Sequence, residues 1–166
     1  MLDLAIREFP GLVVDAREIE RAGKSYTVDT LAALRAEMPA TPVALLVGAD
    51  AFRGLPSWHR WKDLFELAHL IVVPRPGVAL DNGLSADLAT EWHARQTADS
   101  RDLRTRTAGS IYVQPVTPQP IASSAIRAAL ANAHGLPVEI AGLLPPAVLA
   151  YIESNGLYKA TPPNAS

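Results

Sequence analysis

The chain has 166 residues, 49% of them apolar and 19% charged, so it can form one domain with a sizeable buried core. Its formal net charge is −2 and no block of Lys or Arg occurs, which argues against a nonspecific nucleic-acid surface. It has no cysteine, which excludes disulfide scaffolds, zinc ribbons and thiol nucleophiles. No apolar run approaches the roughly 20 residues of a membrane span, and residues 1–8 lack a signal-peptide pattern. We therefore expect a cytoplasmic protein without a membrane or nucleic-acid partner.

Predicted helices and strands alternate along the chain. An apolar pattern from Leu2 to Phe9 predicts a first helix with no capping residue before it, and residues 12–14 predict a short strand. Three more strands are predicted, the first two as continuous apolar runs typical of burial on both faces: residues 42–47, 69–73 and 110–113. The other helices are predicted at residues 28–38, 57–67, 84–95 and 123–132, and from residue 145 to a cap at 155–156.

This alternation predicts an α/β layer fold with a mainly parallel sheet. We expect one domain over residues 1–159, with the polar segment 78–109 at its periphery and a flexible tail at 160–166. Because ligands of such sheets bind beyond the carboxyl ends of the strands, the candidate functional residues are sought there.

The first candidate site follows the predicted strand 42–47. Gly48 lets a ligand approach the backbone, and Asp50 can accept hydrogen bonds from ribose hydroxyls. The structural alternative is a turn glycine followed by a helix-capping aspartate, which is the commoner arrangement.

The second candidate site is the start of the helix after the last strand. Ser123, Ser124 and Arg127 would place two hydroxyls and a guanidinium beside free backbone N–H groups, a combination suited to phosphate. The alternative is simple capping by one serine, with Arg127 in solvent.

Three further positions allow both a binding and a structural interpretation. Trp58 can stack on a flat heterocycle or belong to the core, and Arg75, between two prolines, can meet a phosphate or be solvated. Tyr26 and Thr27 precede a helix whose N–H groups could hold a carboxylate, or they form a plain capping segment with Ser25. The four histidines show no metal-ligand spacing, and the familiar hydrolase, P-loop and dinucleotide fingerprints do not occur.

Taken in order, the motifs resemble bacterial nicotinate-mononucleotide adenylyltransferase over residues 1–159. The matching segments are SYTVDTL at 25–31, VGAD at 47–50, LPSW at 55–58, LIVVPRPG at 70–77, IASSAIR at 121–127, and LPPAVLAYI at 144–152 with GLY at 156–158. The resemblance implies a Rossmann-like, doubly wound nucleotidyltransferase fold. It also implies transfer of AMP from ATP to nicotinate mononucleotide, with Mg²⁺ on the ATP phosphates, giving deamido-NAD and pyrophosphate.

The resemblance also implies residue roles. Gly48 and Asp50 would hold adenosine, and the triphosphate would lie at Ser123, Ser124 and Arg127. For the acceptor, the implied residues are Tyr26 and Thr27 at the nicotinate carboxylate, Trp58 on the pyridine ring, and Arg75 near the mononucleotide. Two positions depart from the family pattern: Ala122, where many members have serine, and His59, where an aromatic residue is often seen.

The family's N-terminal His-x-Gly-His signature does not occur in this chain, so no catalytic residue is assigned. Met1 aligns with an internal helix of the family, as for a chain that begins at an internal methionine or a naturally shortened relative. We therefore expect little or no AMP transfer by the 166-residue chain alone, because the signature histidines supply transition-state contacts. Robust turnover of ATP and nicotinate mononucleotide with Mg²⁺ by the purified chain would contradict this expectation.

Two alternatives remain from the sequence. One is a non-catalytic nucleotide-binding or interaction domain, and the other is an adenylyltransferase for a related acceptor such as nicotinamide mononucleotide. A homo-oligomer is also possible, since a sheet that lacks strands should expose apolar edges.

Overall fold

Four parallel strands form the sheet of the computed structural model, in the order β1-β2-β4-β3. Their bounds are Ala44–Gly48 for β1, His69–Val73 for β2, Gln96–Thr97 for β3 and Ile111–Val113 for β4. The register places Ala44 opposite His69 and Gly48 opposite Val73. All four carboxyl ends therefore meet at one edge of the sheet, and the predicted α/β fold with a parallel sheet is confirmed.

The structure describes residues 1–74, 80–117, 123–131 and 142–158, which fall into two compact units. One unit comprises residues 16–118, and the other comprises residues 1–15 with 119–166. Arg75, Ala122 and the tail 160–166 lie outside the described residues. The prediction of a single domain over residues 1–159 stays a prediction.

Among its described residues, the unit of residues 16–118 contains the sheet and six helices. These are α2 Arg17–Glu20, α3 Thr27–Glu37, α4 Ala49–Arg53, α5 Leu64–Leu67, α6 Ala86–Arg95 and α7 Asp102–Thr105. Ser85 caps α6, since its hydroxyl accepts a hydrogen bond from the Leu88 N–H at 3.3 Å. The other unit contains α1 Leu2–Ala5, α8 Ser123–Ala131 and α9 Pro146–Ser154, and α9 buries Val148 and Ile152.

The core of the larger unit gathers around β2, which has a strand on each side. Leu70 and Val72 of β2 pack in one apolar cluster with Phe52 and Trp92, whose rings meet edge to face at 5.7 Å. β1 is different, because it pairs with β2 alone among the described strands and leaves Leu46 65% exposed. The expectation that the run 42–47 is covered on both faces is therefore wrong for β1.

Two other predicted elements are wrong, each for a local reason. Residues 12–14 form no strand; Val13 is 87% exposed, and so short an apolar run without a partner strand leaves its backbone groups unpaired. The predicted helix 57–67 is broken at Arg60, whose φ of 50° is left-handed. Two 3-10 turns, Leu55–Ser57 and Trp61–Asp63, and the short helix α5 take its place.

Within the described residues, no helix has both the length and the apolar character that a membrane crossing needs.

Candidate functional site

Two short segments of the larger unit enclose a pocket of about 280 Å³. Residues 25–27 form one wall and residues 57–59 form the other. The structure thus brings together Tyr26, Thr27 and Trp58. Tyr26 and Thr27 lie at the start of helix α3, whereas Trp58 comes after strand β1. The lining residues are Ser25, Tyr26, Thr27, Ser57, Trp58 and His59.

The first wall is the start of helix α3. Tyr26 is the residue before the helix, with extended backbone, and no side chain caps this helix end. The Ser25 hydroxyl instead donates to the Glu18 carbonyl oxygen at 2.9 Å, so the expectation of a plain cap by Ser25 or Thr27 is wrong. The positive end of the 11-residue helix therefore lies beside the pocket without a capping oxygen of its own.

The second wall is held by the turn that precedes it. Within the turn Leu55–Ser57, the Ser57 hydroxyl donates to the Gly54 carbonyl at 2.7 Å, and the Trp58 N–H donates to the Leu55 carbonyl at 2.8 Å. Trp58 is half-buried and packs against the core while it also lines the pocket. Its two interpretations are thus compatible, because one ring face can pack while another part of the ring stays accessible.

His59 completes the pocket, and it was not among the sequence-based candidates. Its ring packs at a tilt against that of Tyr26, with 4.4 Å between centroids and 32° between planes. The sequence held one signal, namely its position directly after Trp58, but no rule of spacing connects it to Tyr26.

The end of β1 places Gly48 and Asp50 at the ligand-binding edge of the sheet. Gly48 has φ −74° and ψ 160°, which any residue can adopt, and a Cβ there would meet no atom within 4 Å. Neither backbone conformation nor a steric contact therefore explains this glycine. Asp50 lies in the first turn of α4, where no side-chain capping bond forms, and its carboxylate is 3.8 Å from the Arg53 guanidinium.

The candidate phosphate site lies on the other unit. Ser123, Ser124 and Arg127 occupy the first turns of α8, and all three are exposed. In the part of the chain that the structure describes, no hydrogen bond or ion pair of Arg127 is found. The structure therefore groups these three residues at the start of one helix.

Among the described residues, no group of three His, Asp or Glu side chains could hold a metal ion. The Arg101 guanidinium hydrogen-bonds to the Asp99 carboxylate and holds the pKa of that carboxyl below its ordinary value, and the same pair raises the pKa of Arg101. Neither residue lines the pocket.

Comparison with known proteins identifies a family. The family model described as cytidylyltransferase-like matches residues 1–129. The chain is 42% identical over 160 residues to a protein of Aeromonas hydrophila, covering 96% of this chain and 72% of the relative. It is 45% identical over 154 residues to a protein of Halorhodospira halophila, covering 93% and 68%. Both relatives are named probable nicotinate-nucleotide adenylyltransferase.

One solved structure has the same fold. Plasmodium falciparum nicotinic acid mononucleotide adenylyltransferase, complexed with APC, superposes with a TM-score of 0.55 at 16% identity. The superposition covers 82% of this chain, which spans about 60% of the length of that protein. At this identity the likeness concerns the fold alone.

Proposed function

This chain belongs to the nicotinate-nucleotide adenylyltransferase family, and we propose that it binds nicotinate mononucleotide and ATP for the transfer of AMP in NAD biosynthesis. The observation that carries the proposal is the pocket shared by Tyr26, Thr27 and Trp58. The resemblance in sequence implies that these residues bind one acceptor, and they line one pocket.

The pocket has the chemistry that a nicotinate ring requires. The half-buried Trp58 offers an aromatic surface on which a pyridine ring can stack. At the opposite wall, the uncapped N-terminus of α3 favours an anion, and the Tyr26 and Thr27 hydroxyls can donate hydrogen bonds to a carboxylate. A ring that bears a carboxylate therefore matches both walls.

We assign the adenosine of ATP to residues at the carboxyl end of β1, and its triphosphate to residues at the start of α8. The open backbone at Gly48 admits the adenosine, whose ribose hydroxyls would donate to Asp50. The triphosphate would be bound by the Ser123 and Ser124 hydroxyls and by the Arg127 guanidinium. Arg75, predicted near the mononucleotide, lies outside the described residues and remains a prediction.

A divalent metal ion would reach this site bound to the substrate ATP. Since the described residues hold no carboxylate cluster for a metal, Mg²⁺ would enter on the ATP phosphates and neutralise part of their charge. Arg127 and the serines of α8 would then bind the remaining phosphate oxygens.

The reaction is an in-line displacement at the α-phosphorus of ATP. An oxygen of the mononucleotide phosphate forms the new bond to this phosphorus, and the bond to the β-phosphate oxygen breaks with release of pyrophosphate. The chain contributes by holding the two nucleotides, because positioning of reactants lowers the barrier without a covalent intermediate.

The proposal is tested by titrating the chain calorimetrically with deamido-NAD and with NAD. We expect deamido-NAD to bind and NAD to bind several-fold more weakly, since the two differ in the group on the pyridine ring. Equal affinities would favour an adenylyltransferase for a related acceptor. Failure to bind either dinucleotide, or ATP, would overturn the proposal.

Replacing Arg127 with alanine is expected to weaken ATP binding about tenfold, because one charge-assisted hydrogen bond to phosphate is lost. Titration of the variant with ATP and Mg²⁺ measures the change. The exposed Arg101, which lies in the other unit, provides the matched control, and Arg101→Ala should retain full affinity. Unchanged ATP binding in Arg127→Ala would remove this residue from the site.

We further propose a homo-oligomer and a cytoplasmic location. The exposed Leu46 on the edge strand β1 supports the first, because an apolar side chain at a sheet edge favours association. Light scattering on the purified chain measures the oligomeric state directly.

A further inference from the structure

We propose that the His59 side chain determines acceptor specificity by supplying the cationic hydrogen-bond donor that selects a carboxylate over a carboxamide on the pyridine ring. This inference rests on the proposed function, since it concerns the same pocket. It assigns a role to a position at which the chain departs from the aromatic residue often seen in the family.

The composition of the pocket singles out this residue. The six lining residues include no Lys, Arg, Asp or Glu, so His59 is the one basic side chain of the lining. A ligand carboxylate in this pocket can thus meet a basic ring at His59 and no carboxylate of the lining.

The two cations that follow His59 along the chain have other partners. The Arg60 guanidinium binds the Asp63 carboxylate at 2.6 Å, and the Lys62 ammonium lies over the Trp61 ring, 5.5 Å from its centroid. Neither residue lines the pocket. Within the lining, a ligand carboxylate would therefore be recognised by His59 and by the N-terminal end of helix α3.

The geometry keeps the imidazole available for a ligand. The imidazole of His59 packs against the Tyr26 ring, with 4.4 Å between the two centroids, and this contact restrains its plane. The contact does not use the imidazole nitrogen atoms, which lie at the edge of the ring. Within the described chain, the His59 nitrogens make no hydrogen bond, in contrast to His69, whose Nε2 lies 2.8 Å from the Arg106 carbonyl oxygen and whose Nδ1 accepts from the Ser110 N–H. The ring is thus oriented by packing, and its N–H groups remain free to donate.

The test compares two mononucleotides that share ribose and phosphate. Nicotinate mononucleotide and nicotinamide mononucleotide differ in the carboxylate, so the ratio of their affinities cancels the ionisation of the common phosphate. Calorimetric titrations at pH 6 and pH 8 are made with the wild-type chain, with His59→Phe and with His93→Phe. The phenylalanine at 59 retains a ring that can stack on Tyr26 and removes both the donor and the charge.

We expect the wild-type chain to prefer nicotinate mononucleotide, and to prefer it more strongly at pH 6, where histidine carries more positive charge. In His59→Phe the preference should fall about tenfold at pH 6 and lose its dependence on pH. His93 is exposed on α6 and does not line the pocket, so His93→Phe should behave as the wild type. The charged groups of the adjoining segments are common to all three proteins and cancel in the comparison; they are Glu18, Lys24, Asp29, Arg60, Lys62 and Asp63.

The outcomes separate this inference from the proposed function. If His59→Phe kept the wild-type preference for nicotinate mononucleotide, the role of His59 would be overturned and the proposed function would stand. The same conclusion would follow if the preference of the wild-type chain did not vary with pH. Equal loss of both ligands in the variant would show a packing role alone and overturn the inference. Failure of the wild-type chain to bind either mononucleotide would overturn the proposed function itself.

Discussion

Replacing Arg35 with alanine is expected to lower the free energy of unfolding by about 3 kcal/mol, because its guanidinium joins three separate segments of the larger unit. The two Nη atoms donate to the carbonyl oxygens of Leu67, Thr107 and Thr41, each at 2.7 Å. Leu67 ends α5, Thr107 precedes β4 and Thr41 precedes β1. The side chain therefore binds three backbone carbonyl groups, of which that of Thr107 also accepts a hydrogen bond from the Val43 N–H at 3.2 Å.

Urea denaturation measures this effect, and a lysine variant tests its cause. In Arg35→Lys a single ammonium cannot reach carbonyls that the planar guanidinium contacts in different directions, so most of the loss should persist. Arg101→Ala is the matched control, since Arg101 is exposed and binds only the nearby Asp99 through its side chain among the described residues; its effect should be small. A full recovery by lysine would show that charge alone, rather than the hydrogen-bond geometry, stabilises this junction.

Replacing Trp58 with alanine is expected to weaken the binding of nicotinate mononucleotide about 30-fold. The loss combines the stacking contribution with the apolar surface that the ring would bury, about 2 kcal/mol in total. Trp58 also packs against the core, so the free energy of unfolding should fall as well. Titration calorimetry on the folded variant separates the two effects.

Phenylalanine at position 58 provides the control for ring stacking. Trp58→Phe retains an aromatic face at the pocket and should keep most of the affinity. If alanine and phenylalanine weakened binding equally, the pyridine ring would not stack at this position. If neither had an effect while both variants stayed folded, Trp58 would be a core residue only.

The regular elements were largely predictable from local patterns. The prediction of a strand at residues 69–73 agrees with β2, and the predicted helix 84–95 agrees with α6 at Ala86–Arg95, because each pattern is continuous and bounded by clear start or stop signals. The two-residue strand β3, Gln96–Thr97, was missed. It is too short and too polar to show a periodic signal, and it exists because β4 offers backbone partners.

Predictions failed where backbone geometry overrode side-chain pattern. The spacing of Trp58, Trp61, Leu64 and Phe65 fits a helix, yet Arg60 is left-handed and interrupts it. This interruption has a functional consequence, since it leaves Trp58 and His59 in extended and turn conformations at the pocket instead of on a helix surface.

Local sequence was sufficient for the parallel α/β sheet and the family resemblance, because hydrophobic periodicity and short motifs each extend over only a few residues. Three-dimensional packing was needed to place His59 against Tyr26 and to unite three segments at Arg35. These contacts join residues that are distant along the chain. They form only when α3, β1 and β2 are packed together, and no pattern along a single segment specifies such a meeting.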